Sequence, residues 1–247
     1  MPQRLDRILS ECTTYTRSEL KRMILRGEIT VDGEAARRPE QKVDPDRQEI
    51  ALLGRPIACG HSYLMMNKPA GFVSATDDPR QKTVLELVPP ELKRKSLFPA
   101  GRLDKDTEGF LLLTDDGDFA HRILSPKNHV AKTYFARVEG ELCADAAARF
   151  GAGVTLEDGA LCRPAKLEAL SPQNGEYRVV LHEGMYHQVK RMFLACGAQV
   201  VYLKREAIGE LPLDGSLPLG GCRPLDAGEL EKIASNGFIK PKSLKNV

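Results

Sequence analysis

No stretch of this chain approaches the roughly 18 consecutive apolar residues that a membrane-spanning helix needs. The opening Met1-Pro2-Gln3-Arg4-Leu5-Asp6 lacks the apolar core of a signal peptide. These two absences imply a cytoplasmic protein with no membrane partner. No Cys-x-x-Cys pair occurs among Cys12, Cys59, Cys143, Cys162, Cys196 and Cys222, so a structural zinc site is not expected. In a reducing compartment these thiols serve as small apolar side chains. A surplus of one charge sign is also missing: the formal net charge is +2, which by itself demands no nucleic-acid partner. There is no internal repeat and no low-complexity tract. What remains is the composition of soluble globular structure, 42% hydrophobic and 28% charged over 247 residues. That length suits one large domain or two smaller ones and can bury a substantial core.

Charge is informative locally. Residues 17–26 hold four cations, Arg17, Lys21, Arg22 and Arg26, against the single acid Glu19. Thr16 and Glu19 form a capping box that starts a helix there, and Gly27 stops it. Leu20, Met23 and Ile24 share its apolar face, with the cations spread over the other. A shorter helix near residues 5–10 aligns Leu5, Ile8 and Leu9. A strand at 28–31 leads into Asp32-Gly33, a two-residue hairpin signal, and a last strand is expected at 50–53. These elements make a compact unit of two helices and a hairpin. Residues 54–61 read as a linker. The basic helix face is either an ordinary solvated surface or a phosphate-binding one.

Beyond residue 62 the pattern changes. Strands are expected at 63–66, 110–113, 132–138, 154–156, 166–170, 177–181 and 199–204. Helices are expected at 84–87, 141–150 and 188–196, the last stopped at Gly197. Many strands with few interspersed helices indicate an α+β fold with a mostly antiparallel sheet.

The chemistry concentrates in Gly101-Arg102-Leu103-Asp104-Lys105-Asp106-Thr107-Glu108-Gly109, directly before the apolar run 110–113. A charged loop set against a buried strand is where a chain positions reactive groups. A calcium loop fits poorly, because Glu108 is too long for its position, the twelfth position is Asp115, and Pro99 opposes an entering helix. A glycosidase carboxylate pair lacks any fixed separation. His182 and His187 are five residues apart and do not share one helical face, so they do not form a zinc helix and read as a polar turn. An aspartate among cations remains. Arg102 stands two residues before Asp104, and Lys190-Arg191 open the later helix. A cation beside Asp104 favours its ionised form, although an isolated pair of this kind is also an ordinary surface salt bridge.

Taken in order along the chain, the motifs resemble the RsuA branch of the pseudouridine synthases. They are Arg4-Leu5-Asp6-Arg7-Ile8-Leu9 with the basic helix and Val31-Asp32-Gly33, then Met66-Asn67-Lys68-Pro69-Ala70-Gly71, then Ser74-Ala75-Thr76-Asp77-Asp78-Pro79. The signature 101–109 follows with Leu112-Leu113-Thr114-Asp115-Asp116-Gly117, then Lys132-Thr133-Tyr134. Glu183-Gly184-Met185-Tyr186-His187-Gln188-Val189-Lys190-Arg191-Met192 and Arg205-Glu206-Ala207-Ile208-Gly209 complete the series.

The resemblance implies an α+β chain of three parts. An S4-like RNA-binding domain (αL-type, two helices plus hairpin) occupies 1–58, a mostly antiparallel mixed-sheet catalytic domain 62–236, and a basic flexible tail 237–247. It implies that Asp104 is the catalytic aspartate and that Tyr134 lies against the target base. Lys190 pairs with the aspartate, with Arg191 as a rival for that place, and Arg102 holds the extruded nucleotide. Asp104 then either attacks C1′ or abstracts the 2′ proton. The reaction needs no cofactor and no metal. The implied partner is ribosomal RNA, 16S by closest resemblance, at a uridine of the 516 type, naked or in a partly assembled small-subunit particle. Arg17, Lys21, Arg22 and Arg26 are its phosphate contacts, and the chain acts as a monomer. A 23S enzyme of the same branch and a non-catalytic ribosome-assembly factor are the competing expectations.

Overall fold

The computed structural model describes residues 2–45, 47–57, 59–125, 128 and 130–234, so the tail expected at 237–247 lies outside the described residues. The chain opens with β1 (Gln3–Arg4), which runs into α1 (Leu5–Cys12). α2 (Arg17–Leu25) starts on the expected capping box, with the Thr16 N–H donating to the Glu19 carboxylate at 2.7 Å. β2 (Ile29–Val31) and β3 (Glu34–Ala35) flank Asp32-Gly33, whose φ values of +52° and +84° are those of a tight hairpin turn. β4 (Lys42–Val43) pairs with β1, and β5 (Ile50–Leu52) pairs with β2.

The segment expected to be linker begins instead as β6 (Arg55–Pro56), paired with β5 across the turn Leu53-Gly54. Both turn residues have positive φ, so this is a second two-residue hairpin. Leu5, Ile8, Leu9, Leu20, Met23, Ile24, Ile29, Val43 and Ile50 close one small core under these elements.

The remainder is built on one sheet. Its elements are β7 (Tyr63–Lys68), β8 (Phe98–Pro99), β9 (Glu108–Thr114), α3 (Gly117–Leu124), β10 (Lys132–Gly140), α4 (Ala146–Ala152), β11 (Lys166–Ser171), β12 (Glu176–Leu181), α5 (Gln188–Ala195), β13 (Ala198–Ile208), β14 (Leu211–Pro212), β15 (Cys222–Pro224) and α6 (Ala227–Ile233). The strand order is β11-β12-β10-β13-β9-β7-β15, with β8 added to β9 and β14 to β13. The pairing of β13 with β9 is parallel and the other strand pairings are antiparallel, as a mostly antiparallel sheet requires.

Both faces of this sheet are covered at β7 and β9, which explains the uninterrupted apolar runs of those two strands, whereas β11 at the edge is largely exposed. Along β9, Leu111 and Leu113 face one core and Phe110 and Leu112 the other. The first core is closed by α4 and α5 through Phe150, Val189, Met192 and Phe193. The second is closed by α3 and α6 through Phe119, Ile123, Leu230 and Ile233.

Several elements depart from the sequence reading. The helix expected from residue 141 begins at Ala146. The Cys143 N–H is engaged by the Cys196 carbonyl at the end of α5, which holds residues 141–145 out of helical geometry. The strand expected at 154–156 reduces to one bridge, Thr155 with Leu161, because a turn closes at once through Gly159 N–H to Leu156 O. β7 continues two residues past the apolar run, and β13 reaches Ile208 rather than 204. α3 and α6 were not anticipated. Each starts on an aspartate cap, Asp116 accepting from Phe119 N–H and Asp226 from Glu229 N–H.

Candidate active site

The signature loop is held by the last residue of β7 and the segment that follows it. Lys68 is wholly buried, and its ammonium donates to the carbonyls of Thr107 at 2.8 Å, Pro69 at 3.0 Å and Lys105 at 3.3 Å. Burial pushes this ammonium down to about 8, against the pull of Asp106, Asp104 and Glu108. Ser74 Oγ donates to Leu103 O at 2.9 Å and accepts from Leu103 N–H at 3.0 Å. Gly71 N–H donates to Lys105 O at 2.7 Å. The loop backbone is thus held on both sides of Asp104, while the Asp104 side chain stays 26% exposed.

Two groups from the start of α5 face that carboxylate. Lys190 Nζ lies 3.3 Å from Asp104 Oδ2 and 2.6 Å from Asp106 Oδ1. His187 Nε2 lies 3.5 Å from Asp104 Oδ1. His187 caps α5 in the left-handed region, with φ +49°, a backbone state uncommon for a non-glycine residue and frequent at functional sites. Burial works to raise the Asp106 carboxyl, but the hydrogen bond and charge of Lys190 outweigh it and hold the group below the usual range. Burial likewise works to lower the Lys190 ammonium, and Asp106 and Asp104 together raise it.

Arg191 does not reach Asp104. It pairs with Asp158 at 2.6 Å and donates to Tyr186 O at 3.4 Å. Neighbouring helical residues project about 100° apart, and here Lys190 points to Asp104 while Arg191 points to Asp158.

Tyr134 sits on β10, between Val179 on β12 and Arg205 on β13. It is buried in the same apolar cluster as Leu103, the neighbour of Asp104, and Val189, the neighbour of Lys190. Arg205 is itself buried. Its Nε donates to Phe110 O at 2.7 Å and its Nη1 to the Tyr134 hydroxyl at 3.4 Å. The signature closes in glycine for a steric reason. Gly109 has φ +99°, and a Cβ there would stand 2.3 Å from Arg205 O and 2.8 Å from Arg205 N. β13 crosses over it, with Arg205 opposite Gly109 in the parallel register.

The remaining expected contacts lie elsewhere. Arg102 is exposed, with no side-chain partner among the described residues. Arg17, Lys21, Arg22 and Arg26 are exposed along α2. Arg22 Nε reaches Ser18 O at 3.4 Å and Arg26 pairs with Glu28 at 2.9 Å. Among the described residues no group of three or more His, Cys, Asp or Glu side chains is placed to hold a metal ion, and no helix is long and apolar enough to cross a membrane.

Sequence reasoning assigned no role to Lys68, Asp106 or Arg205 and read His187 as part of a polar turn. The positions of Lys68 and Arg205 inside quoted motifs were the available signal. Chemically, the arrangement offers one carboxylate at a partly open surface, oriented by an ammonium and an imidazole. An aromatic side chain held by a guanidinium lies in the apolar cluster that includes Leu103 and Val189, the chain neighbours of Asp104 and Lys190.

Comparison with known proteins fits this arrangement. Residues 62–195 match the RNA pseudouridylate synthase family, and residues 3–48 match the S4 domain. An uncharacterized RNA pseudouridine synthase of Bacillus subtilis is 46% identical over 93% of this chain and 98% of its own length. Ribosomal small subunit pseudouridine synthase A of Escherichia coli is 42% identical over 93% of this chain and 99% of its own. A crystal structure of a pseudouridylate synthase superposes with a TM-score of 0.66 at 37% identity, covering 94% of this chain and 99% of that one. The chain is a member of the RNA pseudouridylate synthase family, an isomerase fold preceded by an S4 domain.

Proposed function

We propose that this protein converts a uridine of small-subunit (16S) ribosomal RNA, at a site of the 516 type, to pseudouridine. The observation that carries the reading is the Asp104 carboxylate, partly open and set between Lys190 and His187. The choice of RNA draws on the relatives named for the ribosomal small subunit, at 40–42% identity over most of the chain.

Uridine inside a stack is out of reach, so the nucleotide is first extruded, at a cost of roughly a few kcal/mol. Asp104 then acts on the sugar, at C1′ or at the 2′ proton, and the bond from N1 to C1′ breaks. The uracil turns in place and C5 joins C1′. The proton on C5 leaves to solvent and N1 takes one up, so the product is an isomer and no cofactor is consumed. Lys190 balances the carboxylate charge. Tyr134 offers its ring to the detached base, a stacking contact of about 1–3 kcal/mol, and confinement keeps that base within reach of the sugar. Arg102 holds the extruded nucleotide. Arg17, Lys21, Arg22 and Arg26 contact phosphates at a distance from the chemistry. The protein acts in the cytoplasm as a monomer.

The test is to map pseudouridine in 16S and 23S RNA after treatment with the purified protein, supplying naked RNA and small-subunit particles separately. Conversion of one 16S uridine is expected. Modification confined to 23S RNA would transfer the substrate to the large subunit. Release of free uracil would replace isomerisation with hydrolysis, and binding without modification would leave an assembly factor.

A further inference from the structure

Tyr186 is 76% exposed, although a tyrosine ring is mostly apolar surface. It is not loose. Its ring stacks on that of His187 with centroids 3.9 Å apart and planes 16° from parallel. The turn beneath it is fixed by Met185 N–H donating to Gln188 Oε1 at 2.9 Å and by Gln188 N–H donating to Met185 O at 3.2 Å. Gln188 is buried, and Arg191 donates to the Tyr186 carbonyl from the next turn. The inner ring of the stack, His187, reaches Asp104 through Nε2 at 3.5 Å. A held aromatic step therefore rises from the catalytic carboxylate to solvent, with its outer face uncovered.

The nearby cations do not favour a phosphate on this step. Lys190 is neutralised by Asp104 and Asp106, and Arg191 by Asp158. What the step offers is a flat π-surface. Extruding a uridine leaves the adjoining base without one of its stacking neighbours. An aromatic face replaces such a neighbour whatever the base is. We propose that Tyr186, backed by His187, stacks on the unpaired nucleobase adjacent to the uridine whose sugar lies at Asp104. This rests on the reading of the chain as an enzyme acting on uridine in RNA. It adds a subsite for a flanking base, tolerant of base identity.

The experiment uses the full-length protein and its Tyr186→Ala, Tyr186→Phe and Tyr186→Trp variants. The binding probe is a single-stranded uridine 12-mer carrying one central 2-aminopurine, whose fluorescence falls on stacking. The activity probe is tritium release from 16S RNA labelled at uridine C5. Wild type, Tyr186→Phe and Tyr186→Trp are expected to quench the probe and to share similar KM values. Tyr186→Ala is expected to lose the quenching and raise KM by about tenfold with kcat little changed. Equal quenching by wild type and Tyr186→Ala, or an unchanged KM, overturns the subsite and leaves that face for some other partner. If wild type releases no tritium from 16S RNA yet the quenching still depends on the ring at 186, the substrate assignment fails and the stacking step stands.

Discussion

The protein carries two sets of cations, and they are housed in opposite ways. On α2, Arg17, Lys21, Arg22 and Arg26 project from an exposed helix face. At the catalytic sheet and the helix α5 packed on it, Lys68 is sealed under three carbonyls, Arg205 is wedged between Phe110 O and the Tyr134 hydroxyl, and Lys190 is shared by two carboxylates. An exposed charge acts at a distance and is weakened by salt. An enclosed one acts as a fixture, because breaking its contacts leaves a buried polar group unsatisfied. The first set suits capture of a phosphate backbone anywhere along its length, and the second suits holding a few atoms in place.

Substitutions in the two sets should therefore fail in different measurements. The largest effect is expected from Asp104→Asn, which removes the charge that Lys190 and His187 face. Turnover should drop at least about 10³-fold, while RNA affinity in a filter-binding assay stays near wild type. Parallel losses in both would erase the distinction. Gly109→Ala forces a Cβ against the backbone of Arg205 and should lower stability by about 3 kcal/mol in denaturant unfolding. An unaltered midpoint would show that β13 yields freely.

Lys190→Ala frees Asp104 and Asp106 and should reduce kcat about 10²-fold through misplacement of the carboxylate. Lys190→Arg should recover much of it. A similar loss in both variants would point to a need for an ammonium in particular. The mildest change is expected when Arg17, Lys21, Arg22 and Arg26 all become Ala. The slope of log affinity against log salt should flatten by about 3, with kcat at saturating RNA unchanged. A preserved slope would move the phosphate contacts off α2.

The parts of the site that could be read from the chain are those coded locally. The capping box at Thr16 and Glu19, the turn at Asp32-Gly33 and the apolar run behind the signature each depend on residues within a few positions of one another, and each forms as expected. α6 was readable in the same way, since Asp226 and Glu229 have capping-box spacing, and it was missed. What stayed hidden depends on distant partners. Lys68 as an anchor needs the carbonyls of Lys105 and Thr107. His187 beside Asp104 needs a left-handed residue that no periodicity announces. The late start of α4 follows from a backbone bond between Cys143 and Cys196. The choice between Lys190 and Arg191 came down to which of two adjacent helical directions points at the loop, and only the packing of α5 decides that.

The parallel pairing of β9 with β13 has a consequence for the order of assembly. Glu108 and Lys204 are partners though roughly a hundred residues separate them, whereas the strands of the N-terminal unit all find partners within its own short span. A polypeptide emerging from the ribosome can close that first unit early. The signature loop must wait: until β13 has been synthesised, Gly109 lacks its cover and Tyr134 its guanidinium. A product interrupted before β13 would contain Asp104, Tyr134 and Lys190 but lack Arg205, so the N-terminal unit has all its strand partners during synthesis well before the signature loop has its own.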